Sequence, residues 1–577
     1  MCGILGIISR ARFSVKTRLL GSLSRLEYRG YDSAGFATRE GFLRKSTGYL
    51  SELISKTSST MTDLAISHTR WATHGGISEK NAHPHHNSKK DIFVVHNGII
   101  ENYEDMRSSL SSEGYRFTTD TDTEVIAHYF DHHLKKGRDM RQAMLSFQEE
   151  VQGTFAILII RKGEKKLYAM KRASPLVMGI SEGELYLASD IYAFINMTDK
   201  VIFFEDNENC IIDDHSFRFF DHKGRTIKKK PRQIKVSQAT ASKEKHDHYM
   251  IKEIKEQPEA AGRLIGSIDT IQKDRFMELA KEVKKAKRVV FLACGTSYHA
   301  SLIGVYLLNT QGIESHTVIA SEFENFLLVD KDTLVIAISQ SGETMDVVAV
   351  LKDCVERGAR IASIVNVPFS TIQRLSRVSV ETMAGPEICV ASTKVFTNQV
   401  ISLLALAKCL GYRNGIHEIP GCIKETIGSN ERKVKALASR LESKKDIFCL
   451  GKGLSYPIAR EIALKLKEIP YIHAEGMMAG ELKHGTIALI EPGIPVISLI
   501  PNKNQDMLSS TNEVRARGAD IITITNTEGD LVVPESDEVQ FTIYSAIVGH
   551  LLSYYIAKKR KLPIDKPRNL AKSVTVK

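Results

Sequence analysis

Two stretches in the second half of the chain share one design. Val289-Val290-Phe291-Leu292 runs into Ala293-Cys294-Gly295-Thr296-Ser297-Tyr298, and Ile447-Phe448-Cys449-Leu450 runs into Gly451-Lys452-Gly453-Leu454-Ser455-Tyr456. Each apolar run has the length of a buried strand, is broken by a Gly/Ser turn, and then enters a helix. A repeated strand–turn–helix unit restricts the fold strongly, because parallel strands need crossover helices that pack onto the faces of one sheet. The expected class for this half is α/β, with two doubly wound parallel-sheet domains. Ligands in such sheets bind beyond the carboxyl ends of the strands, so each copy offers a pocket at the same topological place.

The first copy carries a further turn of this kind. The buried-strand run Leu334-Val335-Ile336-Ala337-Ile338 leads into Ser339-Gln340-Ser341-Gly342-Glu343-Thr344 and then a helix containing Val347 and Val348. Three hydroxyls and a Gly at a helix N-terminus suit a phosphate without any lysine, whereas ordinary capping explains one hydroxyl. In the second copy, a helix from about Pro457 to Ile469 has Ala459, Ile462, Leu466 and Ile469 on one stripe, with Glu461, Lys465 and Glu468 on its flank. By spacing alone that flank is a surface ion-pair ladder. The last residues, Pro567 to Lys577, read as a frayed tail.

The chain begins Met1-Cys2-Gly3-Ile4, so removal of the initiator Met leaves a terminal cysteine with a thiol and an α-amine on one carbon. Their pKa values, near ~8.5 and ~7.7–8.0, lie close to working pH. The amine can then act as base for its own thiol, the logic of N-terminal Thr and Ser hydrolases. Downstream, His68-Thr69-Arg70-Trp71-Ala72-Thr73-His74-Gly75 follows the strand-like run Leu64-Ala65-Ile66. Ile92-Phe93-Val94-Val95 reads as a buried strand ending in His96-Asn97-Gly98, where Asn-Gly predicts a tight turn. The Asn97 amide and the Gly98 N–H have the makings of an oxyanion hole. Thr119-Asp120-Thr121-Asp122-Thr123-Glu124 precedes the helical run Val125–Phe130 and is expected to cap it. Trp71, the only Trp, reads by itself as core filling.

Composition narrows the function classes. The 577 residues suggest roughly four domains. A content of 42% hydrophobic and 25% charged residues fits a soluble globular protein, and no apolar run approaches the ~20 residues of a membrane span. Arg10, Arg12 and Lys16 interrupt any signal peptide, and eight cysteines without framework spacing fit a reducing cytoplasm. The net charge of +11 is spread over distant clusters at Lys228–Lys230, Lys284–Arg288 and Lys558–Lys561 without a nucleic-acid motif, so it reads as solvated surface. Asn81-Ala82-His83-Pro84-His85-His86-Asn87 reads as a loop, not a metal site. Residues 236–245 are small, polar and aperiodic, a linker, and the helical pattern opening at Tyr249 stops near Pro258.

The start MCGI, LEYRGYDSAG at Leu26–Gly35, HTRWATHG at His68–Gly75, VHNGIIEN and TDTEVIAH together resemble the class II glutamine amidotransferases. Within these the chain is most similar, from Met1 to Lys577, to the glutamine–fructose-6-phosphate aminotransferases (isomerising). The resemblance implies an N-terminal Ntn-type αββα glutaminase sandwich at 1–236, a linker at 237–248, two sugar-isomerase (SIS) domains at 249–425 and 426–560, and a C-terminal tail at 561–577 over the sugar site. It implies that Cys2 attacks the glutamine side-chain amide, with Asn97 and Gly98 as the oxyanion hole. Arg70 would hold the glutamine α-carboxylate and Asp122 the α-ammonium, with Thr73 and His74 beside them. Trp71 would gate the passage between the two active sites. A guanidinium fork suits a carboxylate and an Asp suits an ammonium.

For the sugar phosphate the resemblance implies Thr296, Ser297, Ser339, Gln340, Ser341 and Thr344, helped by Val390 and Ala571. Glu468, neighboured by Lys465, would move a proton between sugar C1 and C2. His484 would open the sugar ring from across a homodimer interface. Lys572 would form a Schiff base with the ketose carbonyl, which requires a neutral amine. The implied reaction takes glutamine and fructose 6-phosphate to glutamate and glucosamine 6-phosphate, in the cytoplasm. No metal, organic cofactor, nucleic acid or membrane is implied. Channelling keeps ammonia neutral, whereas in water at neutral pH it would be mostly protonated. The sequence departs from the family pattern at Cys389, Thr486 and the terminal Lys577. Two rivals are a glutaminase feeding another acceptor, disfavoured by the lack of a P-loop or pyrophosphate fingerprint, and a sugar-phosphate sensor, which has no need of Cys2, Lys572 or Glu468.

Overall fold

Alternation along the parallel strands decides which core each residue enters. In the computed structural model Val289 and Phe291 join a core common to both copies of the repeat, while Val290 and Leu292 face another core with Val347, Val348 and Leu351. Ile447 and Cys449 enter the common core as well, and Phe448 and Leu450 a separate one with Met507 and Val514. Both faces of both sheets are covered, the condition for all-parallel sheets.

The structure describes residues 2–213, 216–234, 243–326, 329–413 and 415–574. The chain divides into two compact units, Met1–Gln238 with Ser573–Lys577, and Ala239–Lys572. Of the expected linker, residues 237–242 lie outside the described residues, as do residues 575–577 of the expected tail.

In the second unit one five-stranded parallel sheet runs Ser315–Ile319, Arg288–Ala293, Thr333–Ser339, Arg360–Val365, Val378–Glu381. The other runs His473–Met478, Asp446–Gly451, Pro495–Ile500, Asp520–Thr525, Leu531–Val532. Numbered within each sheet, both have the order 2-1-3-4-5, so the repeat read in the turns extends to the whole topology. The switch point lies between the first and third strands of each copy, where ligand crevices form. The helix Glu538–Lys559 lets one core serve both sheets: Val539 to Ala557 is buried all round, against Lys394–Leu410, Ile419–Leu441 and Ser455–Glu468. A capping box of Asp537 and Gln540 starts it. Among the described residues no helix is long and apolar enough to cross a membrane. The pattern expected to stop near Pro258 instead breaks into two helices, Tyr249–Lys255 and Gln257–Ile268. Pro258 sits in the first turn of the second, where its missing N–H costs little.

The first unit is a sandwich of two antiparallel sheets, eight- and seven-stranded. Ile4, Ile8, Leu64 and Ile66 of one face Phe93, Val95, Leu158 and Ile160 of the other. The outer face of the seven-stranded sheet is covered by Tyr103–Ser112, Glu124–Lys135 and Met140–Glu150, through Val94, Ile157, Val125, Phe130 and Phe147. Short helical segments between Val15 and Arg29 and the helix Leu50–Ser55 lie against the eight-stranded sheet. This is the αββα layering. His85–His86, expected in a loop, forms the edge strand of the seven-stranded sheet.

Candidate active site

Cys2 directly precedes Gly3–Ser14, a strand inside the eight-stranded sheet, and the pairing Gly3↔Thr69 brings it beside the end of Met61–Arg70. The Trp71 N–H donates to Cys2 Sγ at 3.4 Å and the thiol points back at the Trp71 carbonyl, 3.6 Å away. Asn97 Nδ2 donates to the Cys2 carbonyl at 2.8 Å. Burial pushes the thiol pKa up, while the Trp71 N–H and the Arg70 charge pull against it. A thiolate forming here therefore depends on local donors and cations.

The expected tight turn at Asn97-Gly98 is corrected. Both residues lie inside the strand Ile92–Ile100, with Asn97↔Ala156 and Gly98↔Phe155 still in register. Gly98 sits there at φ 138°, and a Cβ would meet the Thr154 carbonyl oxygen at 1.9 Å. Only glycine permits that close backbone approach. The expected capping by Thr119–Thr123 is corrected too, because Thr123 makes no side-chain cap to Glu124–Lys135. Glu124 folds back instead and accepts the N–H groups and hydroxyls of Thr118 and Thr119.

Arg70 is buried, and its guanidinium donates to the carbonyls of Gly75 at 3.0 Å and Gly76 at 3.3 Å, closing the loop that carries Trp71, Thr73 and His74. Thr73 is exposed, Trp71 and His74 are half-buried, and the His74 ring meets Tyr103 edge-on at 5.7 Å. Asp122, buried, accepts the Ile100 N–H at 2.9 Å. Cys2, Asp32 and Asp122 all act on the Arg70 charge, which puts the thiol, the guanidinium and the two carboxylates in one electrostatic neighbourhood.

In the second unit the switch point of the first copy meets the helix Ser455–Glu468 of the second. Lys465 Nζ donates to Thr296 Oγ1 at 3.1 Å and pairs with Glu461 at 3.4 Å and with Glu468. Glu461 in turn accepts from Thr296 Oγ1 at 3.2 Å and lies 2.7 Å from His299 Nδ1. Glu461 and Lys465 are fully buried, so the expected surface ladder is corrected: the flank faces a neighbouring domain. The Lys465 pKa is moved by burial, which lowers it, and more strongly by Glu461 and Glu468, which raise it. Ser297 Oγ accepts from Gln399 Nε2 at 2.9 Å. Ser339 Oγ accepts the Gly342 N–H at 3.0 Å and lies 3.3 Å from Thr344 Oγ1, while Ser341 Oγ accepts the Glu343 N–H at 3.1 Å. The Gln340 carbonyl accepts from Asn366 and Val367 N–H, both at 3.3 Å. These bonds shape the hydroxyl turn ahead of Met345–Glu356.

The Lys572 side chain is 2% exposed and its ammonium is paired with Glu387, which is wholly buried. Glu387 also accepts the N–H groups of Thr393 at 2.9 Å and Val395 at 3.1 Å, at the start of Lys394–Leu410. Glu253 lies near this pair. Its carboxyl accepts the Cys389 N–H at 3.2 Å, and burial, with the Glu387 charge, raises its pKa to about 8. Val390 N–H donates to the Asp565 carbonyl at 3.1 Å, and Ala571 is half-buried beside Lys572. His484 differs from the rest: it ends the short turn Glu481–His484 and is exposed to solvent. Glu387 and His299 escaped the sequence reading. The signal for Glu387 was a lone acid inside the apolar run Pro386-Glu387-Ile388-Cys389-Val390-Ala391. His299, on a helix, had none.

Residues 68–196 match the glutamine amidotransferase domain family, and residues 282–409 and 440–557 the SIS domain family. The chain is 40% identical over 612 residues to the glutamine–fructose-6-phosphate aminotransferase (isomerizing) of Clostridium tetani, covering 100% of each. It is 39% identical over 597 residues to the protein of the same name from Sulfolobus acidocaldarius, again covering 100% of each. Among solved structures, the C-terminal domain of glucosamine-fructose-6-phosphate aminotransferase from Francisella tularensis matches at 32% identity and a TM-score of 0.51, over 57% of this chain and 100% of that one.

Proposed function

From the premise that the chain belongs to the glutamine–fructose-6-phosphate aminotransferase (isomerizing) family, we propose that it converts fructose 6-phosphate and glutamine into glucosamine 6-phosphate and glutamate. The observation that carries the reading is the buried junction at Thr296. There Thr296 of one SIS copy meets Lys465 of the other, which pairs with Glu468. A phosphosugar sensor has no use for that acid–base flank.

In the proposed mechanism the Cys2 thiolate adds to the glutamine amide carbon. Asn97 Nδ2 and the Gly98 N–H stabilise the tetrahedral oxyanion. Ammonia leaves, and water hydrolyses the thioester to glutamate. Arg70 and Asp122 fix the two charged ends of glutamine, with Thr73 and His74 shaping the loop. The ammonia passes Trp71 to the sugar site without entering bulk water.

There the phosphate rests on Thr296, Ser297, Ser339, Gln340, Ser341 and Thr344, with Val390 and Ala571 against the sugar. Lys572 gives up its proton and condenses with the C2 carbonyl, releasing water. Ammonia displaces the lysine amine, leaving the C2 imine. Glu468 carries a proton from C1 to C2 while the C1 hydroxyl proton passes to the imine nitrogen, so the ketimine becomes a 2-amino aldose with no net redox change. His484, exposed in the single chain, opens the sugar ring from across a homodimer interface. The proposed domains are an Ntn-type glutaminase at 1–236, SIS domains at 249–425 and 426–560, and a tail at 561–577, in a cytoplasmic enzyme.

The test supplies glutamine labelled with ¹⁵N in the amide, together with fructose 6-phosphate. The label is expected in glucosamine 6-phosphate, and Cys2→Ala is expected to abolish that transfer. Glutamate appearing without amino sugar, at a rate indifferent to the sugar phosphate, would overturn the proposal.

A further inference from the structure

The Asn97 carboxamide serves an oxyanion only if its NH2, not its oxygen, faces Cys2. The backbone does not decide this, because a planar amide turned over has nearly the same shape. His68 does. Its fully buried ring stands on Met61–Arg70, with Nε2 3.0 Å from the His96 carbonyl oxygen and 3.1 Å from Asn97 Oδ1. A backbone carbonyl only accepts, so Nε2 carries the proton and shares it between two oxygens. A turned Asn97 would then set NH2 against N–H on one side and C=O against the Cys2 carbonyl on the other. The orientation present donates from Nδ2 to the Cys2 carbonyl at 2.8 Å.

The surroundings keep His68 neutral. Its ring stacks on His83, with centroids 4.1 Å apart and planes 16° apart. His83 Nδ1 accepts the His96 N–H at 3.3 Å, and His83 meets His85 edge-on at 4.6 Å. Rings this close inside a core do not share positive charge. Burial lowers the His68 pKa to about 3, and holds His83 and His85 well below the ordinary histidine value. His68 is therefore a fixed N–H donor at working pH, not an acid or base.

We infer that His68 is the positioning residue of the oxyanion hole: its Nε2–H engages Asn97 Oδ1, and so aims Asn97 Nδ2 at the oxygen that becomes charged when Cys2 adds to glutamine. The inference rests on the reading of Asn97 as an oxyanion donor.

The test measures glutamine hydrolysis by the full-length chain with saturating fructose 6-phosphate. His68→Leu is expected to lower kcat about 10–100-fold, less than outright loss of an oxyanion donor, with KM little changed. His68→Gln, whose amide nitrogen reaches the Nε2 position, is expected to recover most of the loss. Should His68→Leu fail to fold, His68→Asn, too short to reach Asn97, takes its place. Combined with Asn97→Ala, either loss variant should add nothing, because the group it aims is gone. An unchanged kcat in the loss variant, no rescue by a normally melting Gln variant, or additive losses in the double variant would each overturn the inference. Asn97→Ala alone separates the two levels. If it leaves hydrolysis intact, the oxyanion reading fails; if it slows hydrolysis and the His68 variants do not, only the role of His68 fails.

Discussion

The two copies in the second unit share strand order and parallel pairing, yet their switch points are built differently. In the first, the two turns present Thr296 and Ser297 on one side and Ser339–Thr344 on the other, and Gly342 at φ 65° lets the chain pass against Ser370. In the second, the protein's own side chains bridge the corresponding turns. Lys452 of one pairs with Asp506 beyond the other. Asn502 and Asn526 exchange hydrogen bonds at 2.7 Å in both directions. The second copy also sets the buried Glu461–Lys465 flank against Thr296 and His299 of the first. Duplication thus yields one copy with hydroxyl-bearing turns and one that carries the buried Glu461–Lys465 flank, and strand order alone does not tell them apart.

The largest expected effect tests the role of that flank. Glu468→Gln should lower glucosamine 6-phosphate formation about 10²–10⁴-fold, the range for removing a general acid–base group. Fructose 6-phosphate affinity should stay close to that of the parent chain. Product formation within a few-fold of the parent would reduce the second copy to a structural companion. Next, Ser341→Ala with Thr344→Ala should raise the KM for fructose 6-phosphate about 10–100-fold, the worth of one or two hydrogen bonds to a charged group. Lys452→Ala with Asp506→Ala, at the matching place in the second copy, should leave KM within about twofold, since an exposed pair contributes little. Equal effects in both copies would show that both crevices take phosphate.

How much of this was legible depended on how local the signal was. The strand–turn–helix repeat and the hydroxyl turn could be read because each lies within a dozen residues and carries a periodicity or a breaker. Cys2 and the Arg70–Trp71 segment could be read as chemistry, and their adjacency follows from one strand pairing, Gly3↔Thr69. The Glu461–Lys465–Glu468 flank was read as surface because helical spacing says which residues share a face, not what that face meets. Its partners, Thr296 and His299, lie more than 160 residues earlier. Asn97-Gly98 resembled a turn because Asn-Gly usually is one. Here the glycine is required by the Thr154 carbonyl, which only the paired strand reveals.

A smaller effect concerns the backbone of the two turns. Gly342→Ala should destabilise the chain by about 1–3 kcal/mol, from positive φ and a Cβ 2.0 Å from Ser370 Oγ. The second copy tolerates Asn502 at φ 49° because Asn visits that region at modest cost. Asn502→Asp, with the same backbone tolerance, should shift the denaturant midpoint less than Gly342→Ala does. A reversed ranking would mean that the turn of the first copy is slack.

The smallest effect is a difference of sign in pH dependence. Beside the first copy's Glu387, which pairs with Lys572 of the tail, burial and the Glu387 charge raise Glu253 to about 8, so the folded state binds a proton that the unfolded state has released above about pH 4.3. Its contribution is complete below that lower value and is lost as pH rises through about 8. On the second copy's flank, burial pushes the Glu461 carboxyl up, but Lys465 and His299 outweigh it and hold it below the ordinary value. Its contribution is present above about pH 4.3 and is lost as pH falls through the depressed value. Urea midpoints of the full chain across the pH range should separate the two. Glu253→Gln should flatten the alkaline limb, by at most about 1.4 kcal/mol per pH unit, and leave the acid limb alone. Glu461→Gln should flatten the acid limb and leave the alkaline limb alone. If both variants alter the same limb, the contrast between a protonated carboxyl near Lys572 and an ionised one beside Lys465 is wrong.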